Sequence, residues 1–220
     1  MPAPHGSMSI LKLGGSLLNL PDVSDRLVSF IDQCQIANPV VVVGGGHAAD
    51  LVRTWADRFK LCDPVAHNLA LQAMTLNAQL LSHLHTRFEL VSAPLHANAV
   101  CPPQQISILQ SQSAIAIPEA KLPKSQHLPR SWDVTSDSIA AWLATCWKAD
   151  RLFLLKSTDL PGDVLADQPD SDTAHQQRSH FVRDLTQRGL VDHAFAMFSQ
   201  TIPSLTWCNL RDWPAELRSF

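Results

Sequence analysis

No apolar run in this chain approaches the roughly 20 residues needed to cross a bilayer, so no transmembrane segment is expected. No C-x-x-C pair occurs among Cys34, Cys62, Cys101, Cys146 and Cys208, and their odd number and wide spacing fit neither a disulfide framework nor a zinc site. A reduced, cytoplasmic setting is expected instead, with Cys62 and Cys146 as small core residues and no catalytic cysteine. Positive charge is not in excess: 17 Lys and Arg stand against 20 Asp and Glu, a formal net charge of -3, so no nucleic-acid surface is expected. Met1–Met8 lack the basic-then-apolar order of a secretory signal. Residues 1–7 are set aside from the fold reading. Neither G-x-x-x-x-G-K-[ST] nor G-x-G-x-x-G is present, which excludes a Walker loop and a dinucleotide fingerprint. Internal repeats and low-complexity tracts are also missing. Tyrosine is absent beside six tryptophans, a balance with no evident physical reason.

The 220 residues, 45% of them hydrophobic, suffice for a substantial core in one large domain or two closely joined lobes. Strand and helix patterns alternate along them. Ser9–Leu13, Pro39–Val43, Phe88–Ser92, Ala114–Pro118, Arg151–Leu155 and Leu205–Cys208 read as strands. Pro21–Gln35, His47–Phe59, Asp63–His85, Thr135–Trp147, Val182–Arg188 and Val191–Ser199 read as helices. Leu51, Val52 and Trp55 are expected to face inward, and Val65, Leu69, Met74, Leu76, Leu80 and Leu84 to form a wide apolar face. Asp63-Pro64 reads as a capping acid before a first-turn proline. Cys101–Gln105 reads as a turn, Lys121–Arg130 as a crossing loop and Gly162–His180 as a polar loop. Such alternation predicts an α/β sheet covered on both faces.

Two glycine loops follow apolar strands. One is Lys12-Leu13-Gly14-Gly15-Ser16 and the other Val43-Gly44-Gly45-Gly46-His47, about thirty residues on. Glycines there let backbone approach a ligand closely, and free N–H groups at a helix start attract anions. Lys12 would point into the crevice at the carboxyl end of its strand and could neutralise a transferring phosphoryl group, with Ser16 donating a hydrogen bond. The alternative is a surface lysine before an ordinary turn. Asp137, in the first turn of a helix that Thr135 could cap, either favours the helix dipole or orients lysine ammonium groups. His83 and His85, two apart, make a poor metal pair.

These residues resemble the amino acid kinase family. The resemblance rests on K-x-G-G-S at Lys12–Ser16, the apolar strand ending in Gly44-Gly45-Gly46, S-D-x-x-A-A-x-L-A at Ser136–Ala144, and Thr158-Asp159-Leu160-Pro161-Gly162. It implies a three-layer αβα sandwich with a mainly parallel sheet, an acceptor-binding lobe over residues 9–130 and a nucleotide-binding lobe over 131–220. It implies ATP and Mg²⁺. Lys12 and Asp137 would be catalytic, Gly14, Gly15, Ser16, Gly44, Gly45 and Gly46 would bind phosphate, and Lys156, Thr158, Asp159 and Gly162 would bind nucleotide. Gly44–Arg53, Asp63–Met74 and Leu128–Asp137 look similar to the branch that phosphorylates aminomethylfuran-methanol phosphate to a diphosphate. There His47, Asp50, Arg53 and His67 would contact a small phosphorylated substrate. A lone helical histidine such as His67 is also commonly structural. A homo-oligomer is implied, with the Asp63–His85 face as a candidate interface.

The chain departs from the family pattern at three points. Pro161 replaces the second acid of T-D-x-D-G, no glycine-lysine segment stands between Val164 and Val191, and His47 directly follows the glycines. A nucleoside-monophosphate or isoprenoid-phosphate kinase, or a non-catalytic anion- or nucleotide-binding protein, remains as an alternative.

Overall fold

The computed structural model describes residues 8–94, 104–162, 174–214 and 217–219. The expected turn at Cys101 and most of the expected Gly162–His180 loop, His175 included, lie outside the described residues and side chains. Among the described residues seven strands form one sheet: β1 (Ser9–Leu13), β2 (Pro39–Val43), β3 (Phe88–Val91), β4 (Ile106–Leu109), β5 (Arg151–Lys156), β6 (Ser204–Asn209) and β7 (Arg218–Ser219). Their order is β3-β4-β2-β1-β5-β6-β7. All pairings are parallel except β6 with β7.

The described α-helices are α1 (Val23–Gln33), α2 (Gly46–Phe59), α3 (Asp63–Ser82), α4 (Ser111–Glu119), α5 (Ser136–Cys146), α6 (Ala174–Gln187) and α7 (Phe195–Ser199). The alternation of strand side chains separates two cores. Ile10, Val40, Val42, Leu152 and Leu154 pack with α4 through α7 on one face. Leu11, Leu13, Val41, Val43, Phe153 and Leu155 pack with α1 and the C-terminal part of α3 on the other. Strands apolar on both sides form the centre of a three-layer αβα sandwich.

Several expectations are corrected. Ala114–Pro118 is helix, not strand: Ala114, Ile115 and Pro118 are among its buried residues, spaced for a helical face, and the proline falls in the last turn. The missing strand is the shorter Ile106–Leu109. The polar segment expected as loop is helical from Ala174, and the second tail helix is only Phe195–Ser199. On α2 the buried residues are Ala49, Val52 and Ala56, while Leu51 and Trp55 are exposed. On α3 Ala66, Ala73, Ala78 and polar His67 and Asn77 go inside beside Leu71, Met74 and Leu81, while Val65, Leu76 and Leu80, and Leu84 just beyond the helix, are exposed. The close approach of α2 to α3 at Ala49, Val52 and Ala73 leaves room for little else. Cys62 is exposed and forms the N-cap that Asp63 was expected to form, and Cys146 is only half-buried. Helix α3 ends at Ser82, so His83 and His85 lie beyond it.

Helix α5 is capped from a distance. Thr135 is its N-cap, but its hydroxyl does not cap the helix and instead donates to Asp192 Oδ2 at 2.7 Å. That oxygen also accepts from the N–H groups of Thr135 (3.0 Å) and Ser138 (3.1 Å), and the Ser138 hydroxyl donates to Asp192 Oδ1. With the N–H of Ala194 also donating to Oδ1 at 3.2 Å, a half-buried carboxylate with five donors should matter more than an ordinary cap. Asp192→Ala is expected to cost about 2 kcal/mol, seen as a lower urea midpoint at unchanged slope. Asp192→Asn, which keeps an acceptor oxygen, should lose less. A midpoint equal to wild type would remove this residue from the helix's support.

Candidate active site

Strand β1 lies between β2 and β5, so the segments leaving the carboxyl ends of all three strands meet. The ladder continues past the strand ends: Gly14 N–H donates to Leu155 O and Gly44 N–H to Leu13 O, both at 2.8 Å. The two glycine loops then touch backbone to backbone. A Cβ on Gly15 would stand 2.2 Å from Gly46 N and 2.9 Å from Gly44 O, and Gly46 has φ of +47°. Only glycine permits that approach. Asn77 of α3 steadies the second loop, its amide donating to the carbonyls of Gly44 and Gly45 at 2.8 Å each. Ser16 and Ser157 share a hydrogen bond of 2.9 Å across the first loop and the end of β5.

Beside the loops lies a buried charge cluster. Lys12 and Lys156 have the same strand parity as Ile10 and Leu154, so both face the α5 layer. Asp137, in the first turn of α5, meets Lys12 Nζ with Oδ1 at 2.9 Å and Lys156 Nζ with Oδ2 at 2.7 Å. Lys156 also donates to Leu190 O at 2.8 Å and lies 5.4 Å from the Trp207 ring centre. Of the two readings of Asp137, pairing with lysines is the observed geometry, and Lys12 is buried, not a surface lysine. Burial acts to raise the Asp137 pKa, but Lys12 and Lys156 together hold it below the usual carboxylate range. Burial also pushes Lys156 down to about 8, against the pull of Asp137. Two ammonium groups on one carboxylate leave one positive charge uncompensated beside amide-lined loops, which suits an anion.

A cavity of about 170 Å³ opens next to this cluster. Gly15, Gly45, Gly46 and Ser136 wall it toward the loops, and Leu71, Met74, Trp132 and Ile139 among others supply apolar surface. Asp50, Arg53 and His67 also line it. Arg53 holds Asp50 at 2.5 Å and its guanidinium lies 5.3 Å from the Trp132 ring centre. His47 does not line the cavity; it is exposed, bonds Asn19 at 3.1 Å and lies 3.7 Å from Asp50. The remaining expected residues follow β5. Thr158 O accepts from Trp207 Nε1 at 3.1 Å, and Asp159 accepts from Asn209 at 3.0 Å. A Cβ on Gly162 would meet nothing within 4 Å among the described residues.

Sequence reasoning missed Asn77, Trp132, Ser157 and Asp192. Asn77 left a usable signal, a polar residue on the inward face of an apolar helix. Asp192 left none, because the α5 residues it caps lie more than fifty positions away.

A parallel-sheet fold with paired glycine loops and a buried lysine–aspartate–lysine cluster is the arrangement to be matched against known families. The sequence pattern of the amino acid kinase family matches residues 7–174, and the chain belongs to that family. As such it is a kinase. No curated protein sequence matches the chain. Similar solved structures include uridylate kinase from Archaeoglobus fulgidus, with 22% identity, TM-score 0.55, and coverage of 91% of this chain and 88% of that one. UMP kinase from Bacillus anthracis matches with 13% identity, TM-score 0.54, and 94% and 88% coverage. Aspartate kinase from Synechocystis matches with 15% identity and TM-score 0.61 over 96% of this chain but 40% of that one. At these identities the likeness establishes the fold. Among the described residues no helix is long and apolar enough to cross a membrane.

Asp137→Asn should destabilise the protein by about 3–5 kcal/mol, since it leaves two buried ammonium groups without their counter-charge. It should also push Lys156 below its present value of about 8. Urea unfolding and an NMR titration of the lysine Nζ groups measure the two effects. Wild-type stability with an unmoved Lys156 would show that the carboxylate does not hold the cluster.

Proposed function

We propose that the protein transfers the γ-phosphoryl group of ATP to a small phosphorylated alcohol, giving a diphosphate. Lys12, Lys156 and Asp137 with the two glycine loops support this: they form a buried, net-positive cradle next to a cavity of small-molecule size. The lobe over residues 9–130 takes the acceptor and that over 131–220 the nucleotide, with Lys156, Thr158, Asp159 and Gly162 on the nucleotide side. An acceptor phosphate oxygen attacks the γ-phosphorus in line, the bond to the β–γ bridging oxygen breaks, and ADP leaves. The nucleophile is already an oxyanion, so no general base is required. Positioning and charge neutralisation carry the rate.

Mg²⁺ fits this site as a passenger on the nucleotide phosphates, where it neutralises charge. Asp137 is occupied by two lysines, and the described residues hold no group of three or more His, Cys, Asp or Glu side chains that could cage a metal. Arg53, a fork-shaped donor at the cavity wall, takes the acceptor's existing phosphate after releasing Asp50. His47 and Asp50 border the same region.

Aminomethylfuran-methanol phosphate is the acceptor we favour. The run Gly44–Arg53, the His67 helix and Leu128–Asp137 carry that resemblance, and Arg53, His67 and Trp132 from those segments all line the cavity. A nucleoside monophosphate is the second reading, favoured by the names of the similar uridylate and UMP kinases.

An acceptor screen with ATP and Mg²⁺, read as diphosphate formation, tests the activity. Lys12→Ala should lower kcat by a few powers of ten while the far-UV circular dichroism stays native, since the lost charge acts on the transferring group. Normal turnover in that variant would overturn the assignment. Arg53→Ala should raise the acceptor KM more than it lowers kcat; an unchanged KM would place the acceptor phosphate elsewhere.

A further inference from the structure

Among the described residues, His67 is the cavity-lining group whose hydrogen-bonding capacity is half used. Its side chain is buried on α3, with the residue 3% exposed. Nδ1 lies 3.1 Å from Ser131 O. A carbonyl can only accept, so Nδ1 carries the proton, and in the neutral ring Nε2 is then a bare acceptor. Burial pushes the ring's pKa below its ordinary value despite the Ser131 hydrogen bond, which favours that neutral form. Nε2 is buried and has no hydrogen-bond partner. Leaving a buried acceptor unmet is costly, and native structures rarely do so without a reason.

Helix α3 sets where that acceptor stands. Met74 lies against the second glycine loop, 3.7 Å from a Cβ placed on Gly45. His67 is seven residues, or two turns, earlier on the same helix, roughly 10 Å along its axis. Leu71 lies between them and lines the same cavity. The cavity therefore has the glycine loops at one end, an apolar middle, and at the other end His67, whose buried Nε2 is unpartnered.

We infer that His67 Nε2 selects acceptors carrying an N–H donor that reaches it, a deepening that rests on the acceptor-site reading above. An unpartnered acceptor in apolar walls discriminates strongly, because an analogue without the donor must fill the site and still leave Nε2 unmet. Two chemistries supply such an N–H: a primary ammonium on a small ring, or the imide of a pyrimidine base.

Two acceptor pairs distinguish them. One is aminomethylfuran-methanol phosphate against its analogue with methyl in place of aminomethyl. The other is UMP against N3-methyl-UMP. Wild type should prefer the N–H member of one pair by on the order of 100-fold in kcat/KM. His67→Leu should lose that preference, and His67→Gln, which can present an amide oxygen near the same point, should keep part of it. Preference in the furan pair identifies an ammonium. Preference in the UMP pair alone identifies an imide, overturning the furan acceptor but not the role of His67. Turnover with no preference in either pair, or a preference that survives His67→Leu, overturns the inference.

Nitrogen-15 NMR of wild-type protein labelled at histidine gives a readout independent of turnover and of the variants' folding. Nε2 of His67 should resonate as an unprotonated nitrogen and shift when an N–H acceptor is added, but not with its blocked partner. That shift without phosphoryl transfer would sink the kinase reading and leave the inference standing. An Nε2 signal unmoved by every compound overturns it.

Discussion

The carboxylate of Asp137, shared by the ammonium groups of Lys12 and Lys156, is the interaction on which the site depends. Three charges out of water are tolerable only as a group. Each lysine comes from the end of a central strand and the aspartate from the first turn of the helix laid over them. The cluster therefore pins α5 to β1 and β5. It also leaves one positive charge in excess, and that excess faces loops whose backbone groups come within van der Waals contact of each other. Structural and chemical roles are inseparable here, since the counter-ion that makes the lysines tolerable also aims them.

Helix α3 acts as a ruler for the neighbouring cavity. Asn77 grips the carbonyls of the second glycine loop, Met74 and Leu71 form apolar wall, and His67 stands at the other end. A rigid element spanning both ends fixes their separation more firmly than two loops could. It is for this that α3 turns polar His67 and Asn77 inward and leaves Val65, Leu76 and Leu80 exposed, an arrangement that hydrophobic periodicity would reverse.

Legibility differed by element. The strands of the sheet centre were readable because apolar runs such as Val40–Val43 fit little besides a buried strand, and the helix starts near Val23, His47 and Ser136 were close to their observed bounds. Ala114–Pro118 misled because a short apolar run with a proline fits a buried strand and a final helical turn equally well. Leu51 and Trp55 misled because the helix contact is set by small residues that let α2 and α3 approach. At the site, the glycine loops, Lys12 and Asp137 stood out by type and order. Trp132 and Ser157 did not, since their contacts with Arg53 and Ser16 join segments far apart in sequence.

What the sequence determined by itself was local: strands apolar on both faces, glycines where backbone must pass backbone, and a helix opening on Ser136-Asp137-Ser138. Family membership follows from the order of those pieces. Tertiary structure decided everything that joins distant segments: that Lys12 and Lys156 share one carboxylate, that Asp192 caps α5, that Arg53 and His67 line one cavity, and that the buried Nε2 of His67 is left unpartnered. Hydrophobic period and turn chemistry act over a few residues and leave a trace in the local sequence. A charge pair or a hydrogen bond between strand end and helix start depends on distances that only the packed sheet sets.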